Sequence, residues 1–143
     1  MTSYDTNNVF AKILRGEIPS QRVYEDAHVV AFMDAMPQAA GHTLVVPRAA
    51  CRNILDAGPD VLPHILPVVQ RIARAAKVAF AADGISVLQF NEAAGGQSVF
   101  HLHFHVVPRF DGVPLKPHHG GMERPEVLTA HAQKIVAALA AQA

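Results

Sequence analysis

The spacing of apolar positions along the chain predicts alternating helices and strands, without internal repeats or low-complexity linkers. Helical spacing is found in three segments, at 9–14, at about 59–82 and at 125–142. Strand-like patterns are found at 22–25, 29–33, 43–46, 85–90 and 100–107. Because Pro63 and Pro67 interrupt the second helical segment, we expect its regular part to begin near Pro67.

This order of elements favours an α+β fold in which an antiparallel sheet is covered by helices on one face. The last two strands are predicted to form a hairpin around a glycine loop. With 143 residues, half of them hydrophobic, the chain is expected to form a single domain, 1–143, with a real core. The C-terminal helix could pack on its own chain or on a second copy.

The composition argues against nucleic-acid and membrane partners. The 12 Lys and Arg residues balance the 12 Asp and Glu residues, so no net charge attracts polyanions or acidic membranes. No apolar run approaches the about 20 residues that cross a bilayer. The polar segment 1–8 lacks the regions of a signal peptide, and the lone Cys51 fits a reducing compartment. We therefore expect a soluble cytoplasmic protein.

The segment 101–107 carries the main candidate chemistry, because His101, His103 and His105 alternate with apolar residues. On a strand, the three imidazoles would share one face, about 6 to 7 Å apart, and Leu102, Phe104 and Val106 the other. Such a row suits a phosphate, and imidazole can serve as nucleophile, acid or base. A solvated strand face, a metal site and buried core histidines are the alternatives. A catalytic zinc would need a further ligand from elsewhere in the chain.

The loop before the histidines is a plausible phosphate cradle. Gly95 and Gly96 allow backbone N–H groups to turn towards an anion. Gln97 adds an amide and Ser98 a hydroxyl, both uncharged donors. An ordinary polar hairpin loop is the alternative.

The pattern His-x-His-x-His followed by two apolar residues resembles the signature of the histidine triad (HIT) family. Segments 10–19, 31–39 and 41–48 are also similar to that family, so that the resemblance covers about residues 7–110. A triad built wholly of histidines is similar to the hydrolase branches, since the transferase branch replaces the third histidine with glutamine. The resemblance implies a five-stranded antiparallel sheet with two main helices, here with a C-terminal helical extension at 111–143.

The resemblance also implies a purine nucleotide substrate and a homodimer. The dimer contact would involve Val87, Gln89 and the region 65–80. The nucleoside would be bound by an acid for the ribose and by apolar residues for the base, namely Asp34, Phe10, Ile18, Met33 and Ala35. For the apolar residues simple core packing is the alternative, and for Asp34 it is a turn or cap role.

We hypothesise that His103 attacks the α-phosphorus of a nucleotide, forming a covalent nucleotidyl-histidine that water cleaves to a nucleoside monophosphate. His105 would donate to phosphate oxygens or the leaving atom, His101 would orient its neighbour, and His42 would set protonation. The phosphate and leaving group would be bound by Asn91, Gly96, Gln97 and Ser98. A phosphoramidase is the leading hypothesis. A diadenosine polyphosphate hydrolase, a nucleotide-binding regulatory module and a histidine metal-binding protein are the alternatives.

No cofactor and no metal are expected. Many bacterial relatives carry Cys-x-x-Cys and a downstream histidine that bind structural zinc, whereas this chain has Asn8, Ala11 and Ala50 at those positions. The pair His118 and His119 is interpreted as an incidental feature of a loop rich in Pro and Gly rather than as a metal site.

Overall fold

The computed structural model describes residues 3–117 and 120–142. In this part of the chain, three α-helices accompany five strands. The helices are α1 (Val9–Leu14), α2 (Leu62–Ala79) and α3 (Pro125–Ala141). The strands are β1 (Arg22–Glu25), β2 (Val29–Met33), β3 (Thr43–Pro47), β4 (Gly84–Leu88) and β5 (Phe104–Arg109). Every predicted element is therefore present.

The five strands form one antiparallel sheet in the order β1-β2-β3-β5-β4. This confirms the α+β fold with a five-stranded antiparallel sheet. In the register, His105 lies opposite Leu44 of β3 and opposite Leu88 of β4. Because directly opposed residues share a face, His105 and Leu44 lie on the same side of the sheet.

One face of the sheet is covered by α2 and α3, and the other by α1. The larger core cluster includes Leu102, Phe104 and Val106, which confirms their predicted common face. The smaller cluster joins Phe10 and Ile13 of α1 to alternate residues of β2 and β3. The expectation that helices cover only one face is therefore wrong for α1. Its apolar side chains pack on the face of the sheet that α2 and α3 leave uncovered.

Helix α2 begins at Leu62 and continues through Pro67 without interruption, so its regular part begins earlier than predicted. Pro63 lies in the first turn, where a missing N–H removes no hydrogen bond. Pro67 removes a single bond, the one to the carbonyl of Pro63. The buried stripe that includes Ile65, Val68 and Ile72 holds the helix against the sheet across this gap.

The last strand begins later than predicted, because β5 covers Phe104–Arg109 rather than 100–107. His101 and His103 thus precede the strand, and only His105 lies within it. Since β4 ends at Leu88, residues 89–103 connect the two strands, a longer connection than the predicted glycine loop.

The C-terminal helix packs on its own chain, where α3 contacts α2, β1 and β2. Ile135 of α3 is fully buried in the core. Within the described ranges, no helix combines the length and the apolar character needed to cross a membrane. His118 and His119 lie outside the described residues.

Candidate active site

A cavity of about 560 Å³ opens on the α1 side of the sheet. His103 and His105 lie in its wall, together with Ser98 of the connection between β4 and β5. All five predicted nucleoside-binding residues also line it, namely Phe10, Ile18, Met33, Asp34 and Ala35. The structure therefore brings these side chains together around one space.

The ring of His103 is held in one orientation by two neighbours. Its Nδ1 lies 2.7 Å from the carbonyl oxygen of His101, and its ring meets the Phe10 ring edge to face at 4.8 Å. A carbonyl oxygen can only accept a hydrogen bond, so Nδ1 carries the proton. In the neutral ring, Nε2 therefore carries the lone pair that a nucleophile needs.

A chain of hydrogen bonds gives His105 the opposite tautomer. The backbone N–H of Gln38 donates to Nδ1 of His42 at 3.0 Å, so neutral His42 is protonated on Nε2. That nitrogen lies 2.9 Å from Nδ1 of His105 and donates to it. The proton of neutral His105 is then on Nε2. His103 and His105, whose ring centroids are 4.9 Å apart, thus combine a lone pair with a proton donor.

Asp34 follows β2 at the edge of the cavity and is tied to this chain of hydrogen bonds. Its Oδ1 accepts from the backbone N–H of Met36 at 2.8 Å, as in a turn. Its Oδ2 lies 3.4 Å from Nε2 of His42. The turn role and a ribose-binding role are compatible, because one carboxylate offers several acceptor positions.

His101 is separated from the other two triad histidines. It is fully buried, with Nε2 donating to the Pro47 carbonyl at 2.8 Å and Nδ1 accepting from the Tyr4 hydroxyl at 2.6 Å. Burial lowers the pKa of His101, although the Pro47 carbonyl opposes the shift. His103 and His105, with ring centroids 4.9 Å apart, are closer than the predicted distance of about 6 to 7 Å, and the His101 ring does not line the cavity.

The loop residues divide into two groups. Ser98 lines the cavity, whereas Gln97 is buried. The Gln97 amide N–H groups donate to the carbonyls of Arg52 and Val99. Its Oε1 accepts from the Asn53 side chain and from the backbone N–H of Glu92. Asn91 likewise exchanges hydrogen bonds with Gln89 and accepts from the backbone of Ile54. These hydrogen bonds brace the loop, and the direct phosphate contacts expected of Asn91 and Gln97 stay a prediction.

Gly96 has a φ of +100° and an added Cβ would lie 3.2 Å from the Phe90 ring. Phe90 in turn meets the His105 ring at 5.7 Å. Glycine therefore allows the loop to lie close to the aromatic neighbour of His105.

Among the described residues, one group could hold a metal ion, formed by Asp34, His42 and His105. Binding a metal at Nε2 of His42 would move its proton to Nδ1. There it would face the N–H of Gln38, which already donates to Nδ1. Two donors would then oppose each other. The hydrogen bond from Gln38 therefore favours the chain of hydrogen bonds from His42 to His105 over a metal ion.

Part of the cavity wall comes from the C-terminal segment, which no sequence motif placed at the site: Met122, Glu123, Pro125 and Leu128. Backbone hydrogen bonds of 2.9 Å tie this segment to the turn after β2, from Glu123 to Ala35 and from Lys116 to Gln38. The amphipathic pattern predicted the helix, but no motif indicated that the segment before it reaches the site.

Comparisons with known proteins agree with the fold and identify the family. The model of the HIT domain family matches residues 15–112. The crystal structure of a Hit-like protein involved in cell-cycle regulation from Bartonella henselae is 55% identical, with a TM-score of 0.89 and coverage of 95% of this chain and 99% of that one. The chain therefore belongs to the HIT domain family, a family of nucleotide-binding proteins that includes hydrolases.

Two curated relatives extend the comparison. Protein hit of Bacillus subtilis is 41% identical over 104 residues, which cover 73% of this chain and 72% of that protein. Adenosine 5'-monophosphoramidase HNT1 of Saccharomyces cerevisiae is 36% identical over 107 residues, or 75% of this chain and 65% of that protein.

Proposed function

We propose that this protein hydrolyses purine nucleoside phosphoramidates through a covalent nucleotidyl-histidine. The observation that carries the proposal is the pairing of a lone pair on Nε2 of His103 with a proton on Nε2 of His105 in one cavity wall. A nucleophile beside a proton donor is the arrangement that displacement at phosphorus requires. The phosphoramidase activity named for the yeast relative supports this choice of substrate.

In the first step, Nε2 of His103 forms a bond to the α-phosphorus while the phosphorus–nitrogen bond breaks. The leaving nitrogen takes up a proton from water and departs as an amine, while Nε2–H of His105 donates a hydrogen bond to a phosphate oxygen, so that the His105 ring stays neutral. The ring of His103 gains positive charge, which the carbonyl of His101 stabilises through Nδ1–H. In the second step, water attacks the phosphorus and its proton passes to solvent, while the electrons of the phosphorus–nitrogen bond return to His103, which becomes neutral again.

The remaining cavity residues suit a nucleoside. Asp34 can accept from the ribose hydroxyls, and Phe10, Ile18, Met33 and Ala35 offer an apolar surface for the base. No lysine or arginine lines the cavity in the part of the chain that the structure describes. A substrate with one anionic phosphate therefore fits better than a polyphosphate, because uncharged donors must balance its charge.

The test is AMP release from adenosine 5′-phosphoramidate and, separately, from a diadenosine polyphosphate. His103→Ala should abolish release while AMP still binds, and a chelator should leave the parent rate unchanged. His131→Gln, which changes a histidine away from the cavity, is the matched control and should keep its rate. No release from the phosphoramidate by a parent protein that binds AMP would contradict the proposal, and release from the polyphosphate alone would assign the other hydrolase branch.

We also propose that the chain forms a homodimer through β4 and α2, as the resemblance implies. Strand β4 is an edge strand with Val87 half exposed, and α2 exposes Leu66 and Val78. Sedimentation of the parent and of Val87→Asp tests this, since a charge in a dimer contact should shift the protein to monomer. The cytoplasmic location stays a prediction.

A further inference from the structure

Glu92 has a backbone conformation that is unusual for a residue with a side chain. Its φ is +66° and its ψ is 161°, a region occupied almost only by glycine. In the described chain, Ala81 is the other non-glycine residue with positive φ. Such a conformation persists only where surrounding contacts hold it, so the contacts of Glu92 show what the chain gains from a side chain here.

The carboxylate of Glu92 is held by Arg52, which is 40 residues away in the sequence. Two parallel hydrogen bonds join them, from Nε to Oε2 at 2.8 Å and from Nη2 to Oε1 at 2.9 Å. The guanidinium group also lies 4.1 Å above the ring of Phe100. A two-bonded arginine–carboxylate pair restricts geometry more strongly than a single contact between charges.

The backbone of Glu92 connects this pair to the loop that reaches the cavity. Its N–H donates to Oε1 of Gln97 at 2.8 Å, and its carbonyl accepts from the N–H of Gln97 at 3.0 Å. The amide of Gln97 in turn donates to the carbonyl of Arg52 at 2.8 Å. A closed set of contacts among Arg52, Glu92 and Gln97 therefore immediately precedes Ser98, which lines the cavity.

We propose that Arg52 and Glu92 form a positioning pair that holds Ser98 and the N–H groups of the loop at the phosphate end of the active site. The inference rests on the proposed function, since it assigns the loop to the phosphate of that reaction. The pair touches no reacting atom and acts only through the loop. Donors placed in advance stabilise developing charge, so loss of the pair should lower kcat more than it raises KM.

Glu92→Gly is the most informative variant, because glycine accepts the backbone conformation while the carboxylate is lost. We expect kcat for adenosine 5′-phosphoramidate to fall about tenfold, KM to change less than twofold, and Tm to stay equal or rise. Hydrogen exchange at Gly95, Gly96 and Gln97 should become faster. A strained residue without a positioning role would instead give a stable variant with the parent kcat and the parent exchange rates, and this result would overturn the proposal.

Four further variants sharpen the test. Glu92→Gln keeps the shape and part of the hydrogen bonding, so it should recover part of the lost kcat. Arg52→Met should resemble Glu92→Gly, and the double variant should lose no more than either single one, because both remove the same pair. Glu25→Gln, which weakens the exposed pairs of Glu25 with Arg22 and Arg48, is the matched control. Additive losses in the double variant would count against a pair.

The two proposals can fail separately. If the parent protein shows no turnover, the proposed function fails, and hydrogen exchange of the AMP-bound protein replaces kinetics as the readout for the pair. Faster exchange at Gly95, Gly96 and Gln97 in Glu92→Gly, beside parent rates in Glu25→Gln, would support the positioning role. Parent exchange rates in Glu92→Gly would overturn it.

Discussion

The two faces of the same sheet are covered in different ways. One face is closed by α2 and α3, and its core cluster is apolar throughout. The other face has only the six-residue helix α1, and its apolar cluster meets His103 and His105 at the cavity. Incomplete coverage of the second face leaves the space for a ligand, so stability and binding are assigned to opposite sides of one sheet.

Ile72→Ala on the face covered by α2 should have the largest effect on stability. Ile72 is fully buried, and its truncation should lower the free energy of unfolding by about 2–5 kcal/mol. Because Ile72 does not line the cavity, kcat of the folded fraction should be unchanged. Denaturant unfolding and initial rates at the same temperature would measure both quantities.

Val136→Ala on the exposed side of α3, outside the proposed dimer contact, is the matched control, since Val136 is 46% exposed, and its free energy of unfolding should change by less than about 0.5 kcal/mol. A loss of kcat in folded Ile72→Ala would contradict the separation of the two faces.

Acid should destabilise the protein through the histidine side of the sheet. Burial holds the pKa of His101 below its ordinary value. Below a pH of about 6.5, the unfolded chain therefore binds a proton at this histidine that the folded chain does not bind. The free energy of unfolding should therefore fall with pH, by at most about 1.4 kcal/mol per pH unit for this group, until the folded pKa is reached. Urea unfolding between pH 7.5 and 5.5 measures the slope.

The carboxylates of the unfolded chain titrate below this window, near pH 4. Burial also lowers the pKa of His131, so the unfolding measurements should be repeated in His131→Gln, which lacks this contribution. NMR titration of the His101 ring then follows that residue separately. A His101 ring that gains its proton at pH 6.5 or above would refute the prediction.

Asn8→Ala should have the smallest effect on stability but a clear effect on the cavity. The side chain of Asn8 accepts from the N–H of Ala11 at 2.9 Å and caps α1. Loss of this cap should cost about 1 kcal/mol, and fraying of the short helix should loosen Phe10 against His103, so that kcat/KM falls. Asn8→Asp keeps the acceptor and should stay near the parent in both measurements. Equal kcat/KM in parent and Asn8→Ala would show that α1 does not control the site.

Local patterns in the sequence predicted the elements and much of the cavity wall. Alternation placed Leu102, Phe104 and Val106 on one face correctly, because the pleat of an extended chain depends only on neighbouring residues. The resemblance located Phe10, Ile18, Met33, Asp34 and Ala35, which the structure gathers around one cavity. Their roles in binding stay predictions.

The features that the sequence did not predict depend on contacts between distant segments. The Tyr4–His101 hydrogen bond spans 97 residues and the Arg52–Glu92 pair spans 40. Neither contact produces a periodic pattern of apolar and polar residues in the sequence. The burial of the His101 ring outside the cavity was not predicted, because it depends on hydrogen bonds to Tyr4 and Pro47. The bracing role of Gln97 was not predicted, because only the folded loop brings its amide to the Arg52 carbonyl and the Glu92 backbone.

The C-terminal part of the cavity wall also sets an order of events during synthesis. All five strands lie between residues 22 and 109, whereas Met122, Glu123 and Leu128 of the wall and the buried Ile135 come later in the chain. A growing chain on the ribosome therefore contains His103 and His105 before it can close the cavity or complete the core. Translation of the segment after the sheet is thus the step at which a nascent chain first gains a finished binding site.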